Sequence, residues 1–135
     1  MLKYMLDTNI CIFTIKNKPD HMRDLFNQHH GRMCISTVTL MELVYGAEKS
    51  AFPDRNLAVV EGFAARVSVL PYDAPAAAHT GQLRAELASV GQQIGPYDQM
   101  IAGHARSHGL IVVTNNSREF ERVPGLRIED WTQAI

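Results

Sequence analysis

The sequence has few of the features that set special classes of protein apart. Among its 135 residues there are only two cysteines, Cys11 and Cys34, and they lack the C-x-x-C spacing of redox or zinc sites. Both lie among apolar neighbours, so we expect buried free thiols. No apolar run approaches the roughly 18 to 20 residues that a membrane span requires. The simplest expectation is a cytoplasmic protein without a membrane segment.

Charge of either sign is also not in excess. Thirteen Lys and Arg against fourteen Asp and Glu give a formal net charge of -1, whereas many nucleic-acid-binding proteins are strongly basic. The balance counts mildly against RNA as a partner. That objection weakens if several acids hold a metal ion, because a bound cation inverts the local field where a phosphate must sit.

The order of apolar segments predicts an α/β fold. A hydrophobic content of 46% is enough for one continuous core, so we expect residues 1–135 to form a single domain. Short apolar strands are predicted at residues 2–6, 33–36, 67–70 and 110–114, with helical patterns between them. This alternation indicates a central parallel sheet of about four to five short strands, flanked by helices on both faces.

Three acids fall where such a sheet places ligands, which is at the carboxyl ends of its strands. Asp7 directly follows the first strand, Glu42 lies in the helix after the second, and Asp98 opens a later helix. Each has an ordinary explanation: Asp7 as a helix N-cap, Glu42 in a capping box with Thr39, and Asp98 as a favourable charge at a helix N-terminus. None of these explains why all three fall at one edge of the predicted sheet.

Clustered carboxylates raise one another's pKa and are tolerated mainly around a divalent cation. Oxygen ligands without a His or Cys cluster favour Mg²⁺, with Mn²⁺ as the alternative, over zinc. His104 and His108 have the spacing of a helical zinc pair, but Ala105 stands where that motif has Glu. We therefore interpret the two histidines as a surface or packing pair.

Four segments resemble the VapC-type toxins of the PIN-domain ribonuclease family, and the resemblance covers essentially the whole chain. The segments are Met-Leu-Asp7-Thr-Asn-Ile, Ser36-x-x-Thr39-x-x-Glu42-Leu-x-x-Gly46, Gly95-x-x-Asp98-x-x-Ile101-Ala-x-His104-Ala and Thr114-Asn115-Asn116-x-x-Glu119-Phe120. The resemblance implies a PIN-domain fold and a Mg²⁺-dependent endoribonuclease. It also implies that the products carry a 3′-hydroxyl and a 5′-phosphate, since the attacking group is water and not the 2′-hydroxyl.

The same resemblance assigns the site residues. It places the family's metal-binding acids on Asp7, Glu42 and Asp98. Many PIN domains have an Asp where this chain has Asn116, so either Asn116 or Glu119 is expected to complete the catalytic set. The accessory polar residues implied around the substrate are Thr8, Asn9, Ser36 and Asn115.

VapC-like proteins are homodimeric toxins that cut structured RNAs of translation, so the resemblance implies initiator tRNA, cut in its anticodon loop, as the substrate. It also implies inhibition by a cognate VapB-type antitoxin, through which the complex would bind operator DNA. The candidate antitoxin surface comprises Tyr45, Phe52 and Phe63 with their apolar neighbours. The candidate cations for RNA are Lys16, Lys18, Arg23, Arg84, Arg106 and Arg118.

Two other functions remain open from the sequence. One is a phosphohydrolase in which Asp7 is a covalent nucleophile, although such enzymes usually have a second Asp where Asn9 stands. The other is a non-catalytic PIN-like binding module, since Asn116 shows that one family acid is already missing. Metal-dependent RNA cleavage and phosphoenzyme trapping would distinguish the three functions.

Overall fold

The computed structural model describes residues 1–133, in which strands and helices alternate along the chain. In chain order the elements are β1 (Tyr4–Leu6), α1 (Thr8–Lys16), α2 (Met22–Gln28), β2 (Met33–Ser36), α3 (Thr37–Glu48), α4 (Pro53–Ala64), β3 (Ser68–Leu70), α5 (Ala74–Ser89), α6 (Pro96–His108), β4 (Ile111–Val113), α7 (Ser117–Phe120) and β5 (Ile128–Glu129). The predicted α/β class is confirmed.

The five strands form one parallel sheet in the order β3-β2-β1-β4-β5. From β1 the chain builds outward to β3 on one side, and it then returns to add β4 and β5 on the other. The strand order therefore reverses between β1 and β4. In open α/β sheets this is the point where a crevice opens at the carboxyl ends of the strands.

Side chains of the central strands alternate between two hydrophobic cores, because successive residues of a strand point to opposite faces. Tyr4 and Leu6 of β1 pack into the core that α1 to α4 cover. Met5 between them packs into the second core, with α5 and α6. Val112 of β4 joins the second core as well, while Ile111 and Val113 join the first. Helices thus cover both faces, as the sequence predicts.

Helices α5 and α6 pack closely at Gly103. A β-carbon added to this glycine would lie 2.7 Å from the backbone nitrogen and 2.8 Å from the α-carbon of Thr80, which is closer than side chains normally approach. Only glycine allows this contact, and the contact fixes how α6 lies on the sheet. Since Asp98 is in the first turn of α6, this packing also positions that acid.

Two elements were not predicted. Strand β5 has only two residues, and helix α7 has four, so neither is long enough to show a periodic pattern. The predicted strands are also one to two residues longer than β1, β3 and β4. Cys11 and Cys34 are buried and free, as expected. No helix within residues 1–133 has the length and apolarity needed to cross a membrane.

Candidate active site

Asp7 lies at the reversal point of the sheet, immediately after β1. Its backbone nitrogen donates to the carbonyl oxygen of Val113, 3.0 Å away, and its Oδ1 accepts from the backbone nitrogen of Ile10 at 2.9 Å. The N-cap interpretation is therefore correct, but it is incomplete. The side chain is only 3% exposed, and this burial raises its pKa from 3.8 to about 6. Repulsion from Glu42 acts in the same direction, whereas a hydrogen bond from Thr114 opposes it.

Glu42 reaches the same crevice from α3. Its Oε1 accepts a hydrogen bond of 2.6 Å from Thr8 Oγ1, the first residue of α1. The capping-box alternative is wrong, because α3 is capped by Ser36, whose Oγ accepts from the backbone nitrogen of Val38 at 3.1 Å. Glu42 is consequently not needed for capping, and its carboxylate faces the end of β1.

Ser36 has a structural contact in addition to its capping role. Its Oγ lies 2.8 Å from Nδ1 of His104, and both side chains are completely buried. This contact joins α6, which carries Asp98, to the start of α3, which carries Glu42. Burial lowers the pKa of His104, so the ring is neutral here. His108, by contrast, is exposed, and the interpretation of the two histidines as a packing or surface pair is consistent with these positions.

Asp98 is half-buried near the start of α6, which is capped by Gly95. Burial is the main cause that raises its pKa from 3.8 to about 7, and the neighbouring charge of Asp7 adds to the increase. A hydrogen bond with Glu119 and the charges of Glu119 and Glu42 raise it further. The structure therefore brings the three predicted metal acids, from three separate segments, within electrostatic reach of one another.

Asn116 and Glu119 act as a pair. Asn116 Nδ2 donates to Glu119 Oε2 at 2.8 Å, and its backbone nitrogen donates to Thr114 Oγ1 at 2.8 Å. Asn116 thus holds the carboxylate that neighbours Asp98. Asn9 and Asn115 are both exposed, and neither makes a side-chain hydrogen bond within residues 1–133.

Asp130 is a further acid near Asp7, and the sequence pattern does not reveal it. It directly follows β5, and its charge contributes to the raised pKa of Asp7. Its Oδ1 accepts from Thr132 Oγ1 at 2.6 Å and from the Thr132 backbone nitrogen at 2.8 Å, so the carboxylate also shapes the turn. The useful signal was an acid directly after a strand, but that strand is too short to recognise from the sequence.

The donor set fits a hard divalent cation. In the described part of the chain no three acidic, His or Cys side chains stand close enough to hold a metal ion as they are placed. Yet the acids are near enough for their charges to add to the rise in the pKa of Asp7 and of Asp98 that burial mainly causes. Glu42 and Glu119 are each oriented by a neutral partner, Thr8 and Asn116. Oxygen ligands with unfavourable mutual repulsion suit Mg²⁺ or Mn²⁺ and not zinc.

Two grooves open beside these acids. The first, of about 340 Å³, runs between α1, α3 and α4 and is lined by Ile12, Ile15, Lys16, Glu42, Leu43, Gly46, Ala47, Asn56, Val59 and Val60. The second, of about 580 Å³, runs along α3 towards the start of α6 and is lined by Thr8, Ile12, Met41, Glu42, Tyr45, Gly46, Lys49 and Tyr97. We call them the aliphatic groove and the tyrosine groove. They share Ile12, Glu42 and Gly46.

Some predicted surface residues have structural roles instead. Phe63 is buried in the first core, so its place in a partner surface was wrong, whereas Tyr45 and Phe52 are exposed. Arg23 donates to the carbonyl oxygen of Thr14 at the end of α1. Arg106 donates to the carbonyl of Pro124 and to His79 Nδ1, which leaves two fewer free cations for RNA.

A parallel sheet with this strand order and an acidic crevice at its reversal point define a class of nuclease. The PIN domain family model matches residues 4–126, so the chain belongs to the PIN-domain family. Within that family it is a VapC-type toxin endoribonuclease. The tRNA(fMet)-specific endonuclease VapC of Shigella flexneri is 73% identical to it, over 98% of this chain and 100% of that protein. Ribonuclease VapC2 of Haemophilus influenzae is 56% identical, over 97% of this chain and 99% of the relative.

A solved structure agrees with these relatives. The DNA-bound VapBC structure from Salmonella typhimurium contains a chain 72% identical to this one, which superposes with a TM-score of 0.93 and covers 97% of this chain and 99% of that one. Family nucleases of this kind generally depend on a divalent metal. The chain belongs to a ribonuclease family and has a high sequence identity to ribonucleases of that family. Neither the phosphohydrolase nor the non-catalytic alternative therefore has support.

Proposed function

We propose that this endoribonuclease depends on Mg²⁺, or Mn²⁺ in its place, and that Asp7, Glu42 and Asp98 hold the ion, with Asn116 and Glu119 completing the catalytic site. The observation that carries the proposal is the raised pKa of both Asp7 and Asp98 at the one point where the strand order reverses. Burial is the main cause of both raised pKa values and neighbouring carboxylates add to them, so a bound cation would stabilise ionised forms that are otherwise unfavourable.

When bound, the metal would polarise the scissile phosphate and lower the pKa of the attacking water. The chain itself orients the acids. The hydrogen bond from the Ile10 backbone orients the Asp7 carboxylate, and Thr8 orients that of Glu42. Asn116 presents Glu119 next to Asp98, and a bound cation would keep the Asp98 carboxyl, whose pKa is raised without metal, in its ionised form.

We propose initiator tRNA, cut in its anticodon loop, as the substrate. Support comes from the Shigella flexneri relative, which is named as tRNA(fMet)-specific at 73% identity. A loop is also the favourable target for a protein of net charge -1. Its bases are already unstacked, so recognition need not rest on many phosphate contacts.

The test is cleavage of initiator tRNA transcribed in vitro, with an elongator tRNA as the specificity control and mapping of the new 5′ ends. We expect a single cut in the anticodon loop with Mg²⁺, a 5′-phosphate on the downstream product, and none with EDTA. Asp98→Asn should remove the activity, while Glu61→Gln, an exposed acid of α4, should retain it. Cleavage that persists in EDTA or in Asp98→Asn would exclude the metal assignment.

For the partners, we propose a VapB-type antitoxin whose apolar segment lies in the aliphatic groove, next to the acids. The Salmonella typhimurium and Rickettsia felis structures are of VapBC bound to DNA, the latter to a promoter fragment, and they support an antitoxin that carries the complex to operator DNA. Val59→Glu, which places a charge on the exposed wall of that groove, should abolish antitoxin binding.

We further propose that the chain is a homodimer in the cytoplasm and that residues 1–135 form one PIN domain. Sedimentation velocity at micromolar concentration tests the dimer. A purely monomeric chain, with or without antitoxin, would contradict it.

A further inference from the structure

The tyrosine groove includes one of the proposed metal ligands, Glu42, in its lining. Thr8 and Glu42, which form the hydrogen bond beside Asp7, line its inner end. Its outer part is lined by Tyr45 and Tyr97, which are 62% and 47% exposed. A single exposed aromatic side chain is ordinary, but here two tyrosines line one crevice, and tyrosine is enriched at binding surfaces.

A cation lies over one of the rings. Lys49 Nζ is 4.8 Å from the centroid of the Tyr45 ring, and Lys49 is itself exposed on the wall of the groove. Exposed aromatic rings with an adjacent positive charge are the combination by which proteins hold single-stranded nucleic acid, because bases stack on the rings and phosphates pair with the cation. The volume of about 580 Å³ is within the range of about 300–1,000 Å³ found for ligand sites.

The two grooves differ in chemistry, and the difference separates their occupants. The aliphatic groove is lined mainly by Ile, Leu, Val and Ala side chains, with Lys16, Glu42 and Asn56 among them, and contains no aromatic ring. It suits an apolar protein segment. The tyrosine groove has two ring systems and a lysine, and it starts where a scissile phosphate must lie if the acids hold the metal.

We propose that Tyr45 and Tyr97 are base-stacking residues and that Lys49 contacts a phosphate, so that the unpaired nucleotides beside the cleaved bond lie in the tyrosine groove. This inference rests on the proposed function, since it requires the phosphate to sit at Asp7, Glu42 and Asp98. It adds the part of the molecule that holds the RNA strand. It also explains how a chain of net charge -1 binds RNA: the rings supply binding that net charge does not.

The experiment measures binding of a fluorescent anticodon stem-loop RNA by anisotropy, in an Asp98→Asn background that does not cleave it. Tyr45→Ala and Tyr97→Ala should each weaken binding about 10-fold, in line with the loss of one stacked base. The conservative variants Tyr45→Phe and Tyr97→Phe should bind within about 2-fold of the parent, because the ring face is kept. Phe52→Ala is the matched control, since Phe52 is 64% exposed but does not line the groove.

Lys49→Gln tests the phosphate contact separately. The dependence of log Kd on log salt concentration should become shallower by about one unit, as expected for the loss of one phosphate contact. The same substitution at Lys3, which is exposed and precedes β1 at the opposite edge of the sheet, should leave the slope unchanged.

The outcomes distinguish failure of the stacking inference from failure of the proposed function. If the wild-type chain cleaves initiator tRNA but Tyr45→Ala and Tyr97→Ala bind RNA as tightly as Phe52→Ala does, the stacking inference is overturned and the proposed function stands. If these variants change the sedimentation coefficient or antitoxin binding and leave RNA binding intact, the tyrosines belong to a protein contact and the inference is equally overturned. If the wild-type chain cleaves no RNA, both fall together.

Discussion

Asp7 combines two roles that make opposite demands on its carboxylate. As an N-cap it accepts from Ile10 and stabilises the start of α1, yet its burial makes the ionised form unfavourable. Its pKa in the folded chain is about 6 against an ordinary value of 3.8, so the folded state binds the proton more tightly than the unfolded state does. Without metal, the contribution of Asp7 to the free energy of unfolding therefore falls as the pH rises from about 4 to about 6, and it stays low above that.

Asp7→Asn should accordingly stabilise the metal-free protein while it removes activity. Asn keeps an oxygen for the Ile10 hydrogen bond but carries no charge, so the gain at pH 8 is up to about 2–3 kcal/mol, or several degrees in Tm. Thermal unfolding in EDTA at pH 4.5 and pH 8 measures the effect. At pH 4.5 the gain should fall to roughly 1 kcal/mol, because the folded carboxyl is protonated there and only the unfolded carboxyl, with its ordinary pKa of 3.8, is mostly ionised.

Glu61→Gln serves as the reference, because it also removes one negative charge but from an exposed position on α4. Its Tm should change by less than that of Asp7→Asn at both pH values. An Asp7→Asn protein that melts at or below the wild-type temperature at pH 8 would show that the buried charge is not unfavourable.

Among single residues, the sequence predicts those that lie next to strands and helices whose pattern is visible in the sequence. Asp7, Glu42 and Asp98 could be identified because each follows a strand end or opens a helix. Asp130 could not, since its strand has two residues, and neither could the contact between Ser36 and His104, which are 68 positions apart. Long-range side-chain contacts depend on how helices pack, and a single sequence carries no direct signal for that.

Among the elements, the packing of α5 against α6 is the most sensitive to a small change. Gly103→Ala would place a methyl group against the backbone of Thr80, so the helices must separate. We expect a loss of about 2 kcal/mol or more in the free energy of unfolding, measured by urea denaturation. Mg²⁺ should also bind more weakly, because the shift moves Asp98.

Gly62→Ala is the matched substitution, since nothing lies within 4 Å of its added β-carbon in α4. It should stabilise the chain by roughly 0.5–1 kcal/mol through helix propensity alone. Adding Thr80→Ala to Gly103→Ala should not restore stability, because the backbone contacts remain. A Gly103→Ala chain as stable as wild type would mean that the two helices can move apart freely.

The elements themselves were predicted more completely than their ends. Helical periodicity and terminal signals such as Gly109 identify α6, and the apolar run at residues 110–114 identifies β4. Exact strand limits depend on the neighbouring strand, because a residue belongs to the ladder only where its partner is hydrogen-bonded. That is why the predicted strands extend past β1, β3 and β4.

At the scale of the whole molecule, both cores are built on one sheet, since strands β1 to β4 contribute side chains to each. We therefore predict one cooperative unfolding transition, in keeping with the single domain expected from the sequence. Trp131, the sole tryptophan, packs on the first core and stacks on His29 with ring centroids 4.5 Å apart, so its fluorescence reports on that side. Far-UV circular dichroism reports on all helices. Coincident urea midpoints are expected, and two separate midpoints would contradict a single domain.

The sharing of Ile12, Glu42 and Gly46 by the two grooves has an evolutionary consequence. If the antitoxin and the RNA lie as proposed, a mutation at these positions that releases the toxin from its inhibitor also damages the surface that handles the substrate. Escape from control and loss of toxicity would then tend to arise together. A single mutation at one of these positions would then not yield a toxin that is both active and free of its inhibitor. This arrangement would protect the host lineage.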